Sequence, residues 1–194
     1  MTGSSEKIQY KGTNYVRCKQ DIDIDLNKGL KKITKKIGED NQGNNVYAVK
    51  GLSLKNFIYF EGNVSMGDGG PVGLYVSPKM KRIISLTKNP NSLRIYAIQK
   101  KSYDSSKSIK ILETKNLILI KKVVSYFNKG KFIPSKKMNE IKIAKEYNID
   151  FSSSKYPNLV ETYDLVKSNQ GKLYITSRKS FEVSKGISKL ILIK

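Results

Sequence analysis

Apolar residues along this chain fall into short clusters, mostly of strand length, separated by glycine, proline, asparagine and lysine. Lys7 to Tyr10 predicts a first strand, closed by Gly12. Leu26, Leu30, Ile33 and Ile37 then recur at spacings of four, three and four, which predicts one face of a helix. Asp23 or Asp25 suits its N-terminal cap, Lys31, Lys32, Lys35 and Lys36 favour its C-terminal end, and Gly38 stops it. After a loop at residues 39–45, runs at Val46 to Val49, Phe57 to Phe60 and Val72 to Val76 predict strands, with residues 61–70 a flexible connector. Pro78 ends the last run, so Ser77 stands at a strand end ahead of a short helix over Met80 to Leu86.

Leu93 to Ile98 is a further strand, and Ile109 to Glu113 and Leu117 to Ile120 read the same way. Val123 to Phe127 and Met138 to Tyr147 read as helices separated by Pro134, Leu159 to Val166 fits either state, and Leu173 to Thr176 and Leu190 to Ile193 close the chain as strands. The expectation is an α+β fold: one compact domain over residues 1–194, with mixed, mostly antiparallel strands, a helix after the first strand and a flexible N-terminus at 1–6.

Composition narrows the chemistry. The 194 residues contain no histidine and one cysteine, Cys18, so histidine-based triads, histidine metal clusters, internal disulfides and zinc sites are all excluded, and no metal is expected. The polar stretch from Met1 to Gln9 lacks the apolar core of a secretory signal, and no run is long enough to span a membrane, so a cytoplasmic protein or a delivered effector is expected. The net charge is +21, and it is uneven: residues 1–70 hold 11 Lys/Arg against 8 Asp/Glu, whereas 71–194 hold 26 against 8. Such a field draws nucleic acid, an anionic membrane or an acidic protein. Only Arg17, Arg82, Arg94 and Arg178 are arginine, so bidentate base recognition has few agents.

Two local groups follow from the residues alone. Asp21, Asp23 and Asp25 would share one face of an extended segment, as a hard cation would need, or they form a solvated approach to the helix that follows. Lys79, Lys81, Arg82, Lys88 and Arg94, with Tyr75 and Tyr96 interleaved, fit a surface that tracks a nucleic-acid backbone and stacks bases, or an ordinary solvated face.

A third group joins "IQYKGTNYVR", "GLYVSPKMKR" and "RKSFEVSKGISKLILIK" in that order. The order resembles the bacterial ADP-ribosyltransferase toxins of the arginine-serine-glutamate class, the cholera- and pertussis-toxin-like group. The resemblance implies an NAD-dependent transferase acting on a protein or nucleic-acid target. It implies catalytic roles for Glu182 and Ser77, and a cofactor site of Lys11, Gly12, Thr13, Tyr75 and Ser77, with lysine at position 11 where the family has arginine. A carboxylate beside the nicotinamide ribose would stabilise an oxocarbenium-like transition state without an imidazole. Taken singly, Lys11 also reads as a solvated strand-end lysine, Ser77 as a turn former and Glu182 as an exposed strand residue. Two other readings stand beside the transferase. One is an RNA-binding protein or metal-independent ribonuclease using Lys79, Lys81, Arg82 and Arg94; the other is a non-catalytic protein that grips an acidic partner.

Overall fold

A computed structural model of the protein describes residues 7–19, 21–40, 43–62, 72–102, 105–176, 180–183 and 186–191. The expected flexible segment at 1–6 and most of the connector at 61–70 lie outside the described residues. The chain forms two compact units: Met1–Leu86 with Ser154–Val160, and Thr87–Ser153 with Glu161–Lys194.

The first unit is built on a six-stranded antiparallel sheet. Its strands are β1 (Lys7–Tyr10), β2 (Thr13–Arg17), β4 (Thr34–Glu39), β5 (Asn45–Val49), β6 (Phe57–Glu61) and β7 (Gly73–Val76), in the order β1-β2-β7-β6-β5-β4. Lys11 and Gly12, at φ +46° and +75°, make the two-residue turn between β1 and β2, the conformation that matches the twist of a hairpin. The sheet curls until its outermost strands meet, with the Tyr10 hydroxyl of β1 donating to the Ile37 carbonyl of β4 at 3.0 Å. Every strand sends side chains into the enclosed space: Ile8 and Tyr10, Tyr15, Tyr75, Ile58 and Phe60, Val46, and Ile37.

The outer face of the same sheet carries a second core. Val49, Phe57, Leu74 and Val76 pack with Ile22 and Ile24 of β3 (Ile22–Ile24), Ile33 of α1 (Leu30–Ile33) and Met80 of α2 (Pro78–Ile83). Tyr156 and Leu159, from the returning segment, belong to this core, and the Tyr156 ring lies 6.0 Å from that of Phe57. Asn158 adopts φ +67°, and its side-chain nitrogen donates to the Lys50 carbonyl at 2.9 Å while its own carbonyl accepts from Asp25 N at 2.8 Å. These bonds fasten the segment within the unit.

The second unit holds an antiparallel sheet of β8 (Ser92–Ser102), β9 (Ser105–Thr114), β10 (Lys131–Ile133), β11 (Ile143–Ser152), β12 (Leu159–Ser168), β13 (Leu173–Thr176) and β14 (Ser180–Val183). The order is β10-β14-β13-β12-β11-β8-β9. The helix α3 (Leu117–Asn128) covers one face, where Ile120 and Val123 meet Leu93, Ile95, Ile149, Phe151, Leu165 and Ile175, joined by Ile187 of α5 (Gly186–Ile191). Alternation along β8 and β11 sends Arg94 and Asp150 to the opposite face. There they sit in register and pair at 3.6 Å, and Asp150 also accepts from the Thr162 hydroxyl at 2.8 Å. The remaining helix, α4 (Ser135–Asn139), is a single short turn that contributes Met138 to a small cluster with Ile133, Val166 and Tyr174.

The α+β expectation is overturned: the protein is mostly β, with two antiparallel sheets and short helices, and no long helix follows the first strand. The segment predicted as that helix divides into β3, a 3-10 turn at Leu26–Lys28, α1 and β4. Gly29, at φ +83°, interrupts the helical path between Leu26 and Leu30, and Thr34 to Glu39 gain a ladder with β5 in its place. Three other elements differ from expectation. Residues 117–120 begin α3, the region from 143 is β11, and residues 190–191 end α5. Among the described residues no helix is long and apolar enough to cross a membrane.

Candidate anion-binding cleft

The sequence-predicted residues lie in both units. Lys11 and Gly12 form the β1–β2 turn, with the Lys11 ammonium 5.4 Å from the Tyr10 ring centroid, and Thr13 opens β2. Tyr75 is fully buried inside the curled sheet, its ring 5.9 Å from that of Phe60. Ser77 caps α2: its hydroxyl accepts from Met80 N at 3.4 Å and donates to Asn56 Oδ1 at 3.1 Å, while Pro78 fills the first helical position, where no N–H is missed. All five belong to the first unit, whereas Glu182 stands on β14 of the second, 3.6 Å from the Lys172 ammonium.

The basic group divides in the same way. Lys79, Lys81 and Arg82 lie on α2, with Lys79 and Arg82 exposed, and Arg94 is buried against Asp150 in the other unit. In the Asp21 to Asp25 segment, Ile22 and Ile24 turn into the core and Asp23 lies between them in the strand. Burial pushes the Asp23 carboxyl above its ordinary range, against the pull of the Ile24 N–H and of Arg17. Among the described residues no group of three or more acids or cysteines is placed to hold a metal ion. Cys18 is buried in the first unit, and that burial pushes its thiol up to about 12, which leaves it protonated and unreactive.

A concave site of the second unit runs along α3. Asn116 starts this helix by accepting from Ile118 N at 3.0 Å and Leu119 N at 3.2 Å. One helical face then presents Leu117, Lys121, Val124, Ser125 and Asn128, spaced four, three, one and three apart. Opposite them runs the turn Thr87-Lys88-Asn89-Pro90-Asn91, and the two enclose an outer cavity of about 440 Å³. An inner cavity of about 320 Å³ shares Thr87, Val124 and Asn128 with it and is walled by Phe127, Tyr163, Ile175 and Phe181. The outer lobe is cationic and amide-rich; the inner one is aromatic.

Several contacts hold this shape. Glu161 is buried, and its two oxygens accept from the Tyr163 hydroxyl at 2.7 Å and from Thr87 N at 2.9 Å. One carboxylate thereby fixes a wall residue and a rim residue together. The rings of Phe127, Phe151 and Tyr163 meet edge to face with centroids 5.3 to 6.0 Å apart, which stiffens the inner wall. Gly130 passes so close that a Cβ there would stand 2.9 Å from the Phe181 Cβ and 3.2 Å from the Phe127 carbonyl. Any larger residue would push Phe181 off the wall.

No aspartate or glutamate lines either cavity, and among the described residues neither Lys88 nor Lys121 has an ion-pair partner. Both side chains are exposed, within reach of a ligand. Lys88 was visible in the sequence as one of the basic group, whereas Lys121 and Asn128 were hidden because residues 117–120 read as a strand. The helical spacing of 117, 121, 124, 125 and 128 was the signal that could have revealed them. Comparison with known proteins returned no match: no family model, no curated protein and no solved structure aligns significantly with the chain.

Proposed function

We propose that this protein binds nucleic acid, with the cleft along α3 as its principal contact. The observation that carries this reading is the cleft's composition: two exposed lysines, three asparagines and a serine, with no carboxylate among the lining residues. In a chain of net charge +21, the long-range field would bring a polyanion to the surface and the cleft would supply short-range donors. Lysine and asparagine give charge neutralisation with little bidentate base reading, so the binding is broad in sequence. The transferase reading would need Lys11, Ser77 and Glu182 around one NAD molecule. Each has a local partner that accounts for its position: the Tyr10 ring, the α2 N-terminus and Lys172.

Fluorescence anisotropy with a labelled oligonucleotide, titrated from low to high salt, tests the proposal. The logarithm of affinity is expected to fall linearly with the logarithm of salt concentration, and the slope should lessen by about 1 for each of Lys88→Ala and Lys121→Ala. Absence of binding at low salt, or a slope unmoved by both substitutions, would overturn it.

A further inference from the structure

We infer that the inner lobe of the cleft is a receptor for an unpaired nucleobase, so that the protein selects single strands over duplexes. This deepens the nucleic-acid reading and rests on it. The outer lobe alone would serve any polyanion, because ammonium and amide groups contact a phosphate backbone whatever its strandedness. The inner lobe has no use in that task. It is an aromatic and aliphatic recess of about 320 Å³ that shares Thr87, Val124 and Asn128 with the cationic groove, with Phe127, Tyr163, Ile175 and Phe181 as its walls.

A planar, largely apolar group attached to an anionic backbone fits both halves at once. The phosphates lie between Lys88 and Lys121, and the base turns inward past Asn128, which lines both lobes. Asn128 has both a donor and an acceptor on its side chain, as a base edge requires. The Tyr163 hydroxyl is already committed to Glu161, so the wall meets the base as a surface for stacking. Stacking is tolerant of base identity, in keeping with the scarcity of arginine. A base paired within a duplex is held in its own stack and would have to be unpaired before it could enter.

Competition binding by the 194-residue chain separates this inference from the broader reading. The probes are a 12-nucleotide single strand, the same sequence as a duplex, the same strand with abasic positions, and inorganic polyphosphate. The single strand should bind at least about tenfold more tightly than the abasic strand at moderate salt, as expected for one or more stacked bases. Phe181→Leu retains apolar volume but removes the ring face, and should abolish most of that advantage while leaving polyphosphate binding unchanged. Asn128→Ala, at an exposed position, gives the same directional result without disturbing the core. If the strand, the abasic strand and polyphosphate bind alike, or the duplex binds best, the base receptor is refuted and polyanion binding stands. If none of the four binds, both readings fall.

Discussion

The Tyr10 hydroxyl donates to the Ile37 carbonyl at 3.0 Å, and this bond ties the first strand of the six-stranded sheet to the last. Gly38 lies directly beside it, where an added Cβ would fall 2.7 Å from the Tyr10 oxygen. Tyr10→Phe should therefore cost about 1 kcal/mol, the usual net value of one hydrogen bond. Gly38→Ala should cost more in the native background than in Tyr10→Phe, where the obstructing oxygen is gone. Chemical denaturation of the two single variants and the double variant measures this coupling, and strict additivity would show that the seam is not closed by these groups.

Ser77 is expected to act as a helix cap. Ser77→Ala should lower stability by about 1 kcal/mol, and Ser77→Thr should recover most of the loss. Oligonucleotide affinity should be the same in all three proteins. A stability unchanged in Ser77→Ala, with altered ligand binding, would return this residue to a functional role.

Arg94 and Arg82 were alike in the sequence and differ in the structure. Arg94→Ala takes the guanidinium away from the buried Asp150 carboxylate and should destabilise the protein by about 3 kcal/mol, whereas Arg82→Ala on the surface of α2 should stay within about 0.5 kcal/mol. Denaturant midpoints of the two variants decide the matter. Equal effects would mean that the buried pair carries no structural weight.

Asp23 gives a pH signature of known sign. Its carboxyl titrates above the ordinary value of 3.8, chiefly because burial penalises the charged form. The folded state thus holds the proton more tightly than the unfolded chain. The stability this group contributes is present below pH 3.8 and is lost as pH rises through the raised folded value. Asp23→Asn keeps an acceptor for the Ile24 N–H, which the carboxylate meets at 2.7 Å, and removes the titration. The stability difference between wild type and variant should shift in the variant's favour as pH rises through that window, then level off. A difference that is flat with pH would show that Asp23 is not held in this environment.

Much of the sheet structure was legible in the sequence. Strands at 7–10, 46–49, 57–60, 93–98, 109–113 and 173–176 announced themselves through aromatic and β-branched residues between turn formers, and each falls within a strand of the structure. The failures have two physical sources. "LILI" at 117–120 and residues 190–191 in its C-terminal counterpart lie in helices, because a short aliphatic run carries no period that separates the two states, and what decides is the chain around it. Asn116 capping α3 was that deciding residue. The Leu26 to Ile37 spacing failed for the opposite reason: a true helical period was cut by one glycine at positive φ and outweighed by strand pairing with β5. The cleft suffered from the first error directly, since a strand at 117–120 leaves Lys121, Ser125 and Asn128 with no common face.

The segment Ser154–Val160 has a consequence for how the protein is born. Tyr156 and Leu159 fill the outer core of the first unit, yet they leave the ribosome only after the whole of Thr87–Ser153. The first unit therefore cannot complete this core in the order in which it is made. Until most of its neighbour has emerged, that outer core lacks two of its buried side chains. A gene cut between Leu86 and Thr87 would encode an amino-terminal half without Tyr156, Leu159 and the Asn158 hydrogen bonds, so the natural seam between the units is not a place where the chain can be divided cleanly.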